Sequence, residues 1–426
     1  MSADTRRAGT RPTTFDRPHH LTAVGAPLAV AAVVLLAVNL RLVFGSSSAV
    51  ISDIRTAYDL GPASAGLLTT GPVACLGLFS PLAPRALRHW SVPTVLTASL
   101  LLVAAGTAAR GIDAWAYLLA GTLIAGIGIA VANVLGPVFV RGYFAHRIGV
   151  MTGLFTALVS ASAGLASGAT VPLADHVFHS WRTTLLAWAL PTTLAVLVLA
   201  AVAIRHRRVP TTSPHGHATA PTSGRRLLQS PTAWAVTGFM GVQSLLAYSL
   251  IAWLPTLYRD RGLSAEAAGL VLTVLSLASI ATALIVPIVA ARLHDQRLLA
   301  VSVVALSVLG LTGVLVSGQH LALCWAVLLG LGQGGQLSFA LAAMNLRARD
   351  AATVAQLSTM AQSIGYLIAA LGPVATGLLH SVSGGWTVPI VALTALMAAL
   401  AACGWAAGRP HSISAEPDAV PAHADG

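Results

Sequence analysis

The sequence predicts an all-α membrane protein: twelve transmembrane helices in two pseudo-symmetric six-helix bundles, with both termini cytoplasmic. Three observations predict it. The chain is 56% hydrophobic and only 9% charged, with a mean hydropathy of +0.80, whereas a soluble domain carries about 25% charged residues. Its uncharged stretches are long enough to cross a bilayer, which takes about 20 apolar residues. Its arginines divide unequally between two alternating sets of loops.

The stretches free of Asp, Glu and Arg are 18–40, 42–52, 60–84, 89–109, 114–140, 148–174, 183–204, 227–258, 267–291, 298–346 and 351–408. Only Arg41 separates the first two, which join into one span. The last two are too long for single crossings. They divide near Ser317–His320 and Ser381–Gly385, where polar and glycine residues favour turns. The total is twelve.

Orientation follows from arginine placement. One loop set carries Arg6, Arg7, Arg11, Arg17, Arg85, Arg88, Arg141, Arg147, Arg205, Arg207, Arg208, Arg225, Arg226, Arg292, Arg297, Arg347, Arg349 and Arg409. The other carries only Arg55, Arg110, Arg182, Arg259 and Arg261. The richer set is cytoplasmic by the positive-inside rule. The basic, Pro/Ser/Thr-rich stretch "RHRRVPTTSPHGHATAPTSGRRLLQS" reads as a cytoplasmic linker between the sixth and seventh spans. The chain therefore reads as a tail (1–20), a six-helix bundle (21–204), a central loop (205–229), a second bundle (230–408) and a second tail (409–426). The halves echo each other. "LGPASAGLL" (60–68) pairs with "LSAEAAGLVL" (263–272), and "AGIGIAVAN" (125–133) with "GLGQGGQLS" (330–338). Such internal similarity is what a duplicated transporter leaves.

The composition excludes several chemistries. The net charge is +11, but the arginines flank apolar spans, so they read as orientation signals and not as a nucleic-acid surface. Every basic residue is arginine, so the P-loop lysine of an ATP motor is absent. Cys75, Cys324 and Cys403 stand singly, with no metal or disulfide spacing. No Asp or Glu lies inside a span, and His89, His146, His294 and His380 fall in loops or at span ends. A buried Ser–His nucleophile, a metal site and a carboxylate proton relay all lack their residues. No cofactor is expected, and the chain is not expected to be an enzyme. The partners expected are a small-molecule substrate and the lipid bilayer, with a functional monomer.

Arg41 is the exception at depth, where an arginine costs about 2.5–3.5 kcal/mol on insertion scales. Two placements are open. If the first helix ends at Gly45, Arg41 snorkels to the interface. If the helix continues to Ile54, Arg41 sits near the middle, and Gly45, Ser48 and Ser52 extend its face as a small polar stripe. Other polar residues recur inside spans: Gln243, Ser244 and Tyr248 in the seventh, Gln333 and Gln336 in the tenth, Gln362 and Tyr366 in the eleventh, Asn133 in the fourth. Each alone suits a helix–helix hydrogen bond. Together with Arg41 they suit the wall of one polar cavity. Gly121, Ala125, Gly128 and Ala132 form a small face fit for close packing, and Pro72, Pro137, Pro172, Pro287 and Pro373 permit kinks.

Twelve spans, a central loop and two related halves resemble the major facilitator superfamily. "LAPRALRH" (82–89) and "VAARLHDQ" (289–296) resemble its loop signature, with Arg85 and Arg292 retained but Pro84 and Ala291 where an aspartate is usual. Further blocks are similar to the cyanate-permease and 2-nitroimidazole-transporter (CynX/NimT) family. They are "GLLTTGPVACLGLFSPLAPR", "GIAVANVLGPVFVR", "GVQSLLAYSLIAWLPTLYRDRGLSAEAAGL", "GLGQGGQLSFALAAMNLRARD" and "LSTMAQSIGYLIAALGPVATGLLH". The family's Asn-Leu-Arg-Pro reads here Asn39-Leu40-Arg41-Leu42. The resemblance implies secondary transport, by alternating access, of a small planar polar or anionic solute: cyanate-like, a nitro-heterocycle or a small carboxylate. It implies the plasma (inner) membrane of a bacterium. The substrate-binding candidates are Arg41, Gln243, Ser244, Tyr248, Gln362, Tyr366, Asn133 and Gln333. Arg85, Arg292 and Asp53 are the gating or loop candidates. Multidrug-type efflux on the same fold is the alternative.

Overall fold

In an alanine-, leucine- and valine-rich chain, helix satisfies the backbone groups within an apolar medium, and Pro72, Pro137, Pro172, Pro255, Pro287 and Pro373 lie inside helices. The computed structural model describes residues 25–144, 147–207, 224–348 and 351–410. The N-terminal tail, most of the central loop and most of the C-terminal tail lie outside the described residues. In chain order the helices are α1 (Ala26–Asn39), α2 (Leu42–Ala49), α3 (Ile51–Tyr58), α4 (Pro62–Phe79), α5 (Leu82–Ala86), α6 (Val92–Ala109), α7 (Trp115–Tyr143) and α8 (Ile148–Pro172). A π-helical turn, Leu173–Val177, follows. Then come α9 (Trp181–Ala187), α10 (Ala189–Arg207), α11 (Gly224–Gln229), α12 (Pro231–Asp260), α13 (Ala265–Arg292), α14 (Arg297–Val316), α15 (Ala322–Leu346), α16 (Ala351–Ser383) and α17 (Thr387–Ala407).

Eleven helices among the described residues are long and apolar enough to cross a membrane. The helix α4, where the second span is expected, is not among them: its apolar part, Gly66–Phe79, is shorter. The two long uncharged stretches divide where expected. Gly318 (φ +61) and Gly384 (φ +69) take the left-handed backbone that lets α14 turn into α15 and α16 into α17. Ser230 and Ser264 accept the N–H of Ala233 and Ala267, capping α12 and α13.

Within residues 26–207, α6 packs on α7 and α10, α4 on α7, and α1 and α2 on α8. Within 231–407, α13 packs on α15, α12 on α16 and α17, and α14 on α15 and α17. The two sets meet through α4 with α16, α8 with α13, and α2 with α12. The small face of α7 does what its spacing suggests. A Cβ on Gly121 would stand 2.4 Å from the Gly106 carbonyl oxygen, and one on Gly128 2.3 Å from that of Ser99. Across the halves, Thr273 Oγ1 donates to the Gly164 carbonyl at 2.7 Å, and a Cβ on Gly168 would meet Thr273 Oγ1 at 2.3 Å. Side chain and backbone are in direct contact there.

Candidate functional site

The chain remains helical from Ala26 to Tyr58, but in three pieces. Leu40 and Arg41 form a turn between α1 and α2, and Val50 separates α2 from α3. The first helical segment does not end at Gly45, and Arg41 stands at a break inside it. Arg41 has φ −129° and ψ 0°, outside helical geometry, and the ladder resumes with Gly45 N–H donating to the Arg41 carbonyl at 3.2 Å. Asn39 fixes the near side of the break. Its amide donates to the Leu35 carbonyl at 2.7 Å, and its carbonyl oxygen accepts from Thr192 Oγ1 on α10 at 2.6 Å.

Arg41 lines a cavity of about 50 Å³ with Ser160 of α8, Gln243, Ser244 and Tyr248 of α12, Ser276 and Ser279 of α13, and Gln333 of α15. That volume holds about four ordered waters or a solute of a few heavy atoms. No carboxylate lines it, and none of the ion pairs among the described residues uses Arg41. The guanidinium carbon lies 4.9 Å from the centroid of the Tyr248 ring. An aromatic face holds a cation in this way without consuming its N–H donors. Tyr248 in turn packs against Phe44 at 5.3 Å and Tyr366 at 6.3 Å between centroids.

The remaining polar groups are arranged as acceptors and donors without charge. Gln243 Nε2 donates to Ser244 Oγ at 2.6 Å and to the Met240 carbonyl at 3.2 Å. Gln333 Nε2 donates to Gln336 Oε1 at 3.3 Å, and Gln336 is held by Ser307 Oγ at 2.9 Å. Gln333 Oε1 is buried with no partner among the described residues. A buried acceptor left over in a cavity wall is ready to take a donor from a guest. A second, smaller cavity of about 20 Å³ lies between Trp253, Trp386 and the aliphatic side chains of α12, α14 and α17. Apart from Ser249 and Thr376 its lining is apolar, so it offers no comparable chemistry.

Three expected residues lie at the next layer. Asn133 Nδ2 donates to Tyr366 Oη at 3.0 Å, joining α7 to α16. Gln362, one turn from Tyr366, is half-buried on α16 and is not part of the cavity wall. The gating candidates divide. Asp53 Oδ2 lies 3.6 Å from Arg259 Nη1, across the halves at the Tyr58 end, where His176 and Glu266 also meet at 3.2 Å. Arg85 and Arg292 are exposed at the opposite end.

The predicted stripe below Arg41 requires correction. Gly45 faces α8 and not the cavity: a Cβ there would stand 1.9 Å from the Ala163 carbonyl oxygen. Ser48 is buried and donates to the Gly45 carbonyl at 3.0 Å. A second correction concerns Arg110. The sequence puts it in a loop, yet it is fully buried, with Nη2 donating to Ser47 Oγ at 2.8 Å and Ser46 Oγ at 3.4 Å. Ser160, Ser276 and Ser279 were not anticipated either. The i, i+3 spacing of the last two on one helical face was the available signal, whereas a lone serine such as Ser160 carries none. Arg347, also buried, is spent structurally. Its Nε donates to the Ala407 carbonyl at 2.7 Å and Nη2 to that of Gly408 at 3.1 Å, capping α17. Burial pulls its pKa below the ordinary guanidinium value, while Asp295 works the other way.

A helical membrane chain whose halves meet around a small polar cavity is built as a transporter. A sequence model of the Major Facilitator Superfamily matches residues 31–370. The chain belongs to that superfamily, near its cyanate and nitroimidazole transporters, and is a multi-pass protein of the bacterial inner membrane. It is 36% identical to the 2-nitroimidazole transporter of Escherichia coli (strain K12) over 388 residues, 90% of this chain and 96% of that one. It is 30% identical to the cyanate transport protein CynX of the same organism over 354 residues, 83% of this chain and 90% of that one. The fold resembles the inward-facing, unoccupied structure of a bacterial homolog of the human lysosomal transporter Spinster. The TM-score is 0.71 at 17% identity, over 93% of this chain and 98% of that one.

Proposed function

We propose that this chain is a secondary active transporter for a small planar anion or nitro-bearing solute, bound at the midplane by Arg41. The observation that carries the reading is Arg41 at a helix break, laid over Tyr248, lining a polar cavity that holds no carboxylate. A guanidinium presents forked donors that match a carboxylate, a nitro group or a cyanate end. Gln243, Ser244 and Gln333 supply the uncharged donors and acceptors that orient the rest of the solute. Gln362, Tyr366 and Asn133 act from the layer behind.

The chain crosses the membrane twelve times, with α4 as the second crossing, both termini in the cytoplasm and six crossings in each bundle, and it works as a monomer. The bundles rock about the bound solute. Asp53–Arg259 and His176–Glu266 close the outer side in this conformation, and Asn133–Tyr366 joins the bundles near the midplane. Arg85 and Arg292 flank the cytoplasmic loops.

The test is counterflow in proteoliposomes with cyanate, 2-nitroimidazole and 4-hydroxybenzoate as probes. Saturable counterflow of at least one of them supports the reading. Non-saturable flux indicates a channel. Failure of all three together with counterflow of a bulky amphiphile overturns the substrate class.

A further inference from the structure

Arg110 is a cost that the solute site alone does not explain. Its side chain is fully buried, although the residue directly follows α6. A buried cation is ordinarily paired with an acid, yet none of the ion pairs among the described residues includes it. Arginine does not escape by deprotonation. Only Nη2 is engaged, while Nε and Nη1 have no hydrogen-bond partner among the described residues. The fold makes room for this side chain: a Cβ at Gly121 would stand 3.3 Å from Arg110 Cγ.

What Nη2 touches is specific. It donates to Ser47 Oγ at 2.8 Å and Ser46 Oγ at 3.4 Å. Those hydroxyls donate in turn to the Val43 carbonyl, at 2.8 Å and 3.3 Å. Val43 is two residues past Arg41, in the first turn of α2. The break at Leu40–Arg41 is thus held on both sides, by Asn39 against Thr192 on α10 and by Ser46–Ser47 against Arg110.

We propose that Arg110 is a positioning residue for the solute site: through Ser46 and Ser47 it fixes α2, and so fixes where Arg41 presents its guanidinium to the cavity. A short helix between two breaks has little hydrogen bonding of its own to set its rotation, and a charge-assisted bond is stronger than a neutral one. The inference rests on the reading that Arg41 is the cavity's cation.

The experiment reads the position of that charge without needing the natural solute. In a full-length background with Cys75, Cys324 and Cys403 replaced by alanine, Ser160→Cys places a thiol in the cavity wall. The rate ratio of an anionic to a neutral methanethiosulfonate reagent at this thiol, in proteoliposomes, reports the cation beside it. Arg41→Gln is expected to lower the ratio by about tenfold. Arg110→Gln, and separately Ser46→Ala/Ser47→Ala, lower it comparably, and Arg110→Gln adds nothing once Arg41 is Gln. The serine pair keeps both charges and removes two hydroxyls, so it reads the same contact where Arg110→Gln inserts poorly. A wild-type ratio in the serine variant overturns the inference. So does an equal drop on Arg110→Gln with and without Arg41, because Arg110 then acts by its own field. An unchanged ratio in Arg41→Gln instead removes the reading of Arg41 itself.

Discussion

Arg41 and Tyr248 lie on opposite halves of the chain, and the guanidinium of one stands 4.9 Å from the ring centroid of the other. The pair joins the break between α1 and α2 to the middle of α12. Removing the ring leaves the cation without its platform. Tyr248→Leu should raise the half-saturation concentration about two- to thirtyfold in counterflow, from the ~0.5–2 kcal/mol typical of such contacts. Tyr248→Phe keeps the ring and should stay near wild type.

The Asn133–Tyr366 hydrogen bond spans the bundles at 3.0 Å. Rocking must break or re-form it, so its loss changes turnover more than affinity. Asn133→Ala and Tyr366→Phe should each alter the maximal rate. The double variant should be no worse than the worse single one, with a coupling of about 1 kcal/mol in a double-mutant cycle. Purely additive effects on affinity would point to separate solute contacts.

Gly45 is a packing glycine, not a cavity residue. A Cβ there collides with the Ala163 carbonyl at 1.9 Å, whereas one at Gly61 meets nothing within 4 Å. Gly45→Ala should lower thermal stability in detergent, by about 1–3 kcal/mol as over-packing usually costs. Gly61→Ala should leave the melting temperature where it is.

Asp53 and Arg259 are partly exposed, at 44% and 26% of their side chains, so their pairing carries less than about 1 kcal/mol and weakens with salt. Its consequence is kinetic. Asp53→Arg sets two cations against each other across the outer side and should change turnover. The charge swap Asp53→Arg/Arg259→Asp should recover most of the wild-type rate, as measured by counterflow at low ionic strength.

The helical fold was legible because hydropathy acts over long windows, and even the divisions at Gly318 and Gly384 follow from local turn chemistry. The site was legible in part. Arg41, Gln243, Ser244, Tyr248 and Gln333 meet in one cavity because a polar residue in an apolar span must face something polar. The stripe through Gly45 failed because the helix breaks at Leu40–Arg41, which resets the rotation of everything after it. Helical spacing counted from Arg41 therefore points the wrong way. Arg110 was missed for a different reason. A basic residue directly after a span looks like an interfacial anchor, and only tertiary packing through Gly106 and Gly121 reveals that its side chain turns inward.

The most direct test of the account compares solute binding by wild type, Arg41→Lys and Arg41→Gln, each confirmed to insert and to melt normally. For a probe that the wild type carries, the account predicts at least about tenfold weaker binding in Arg41→Gln, with Arg41→Lys between the two, since lysine keeps the charge and loses the fork. Equal affinity in all three proteins would contradict it.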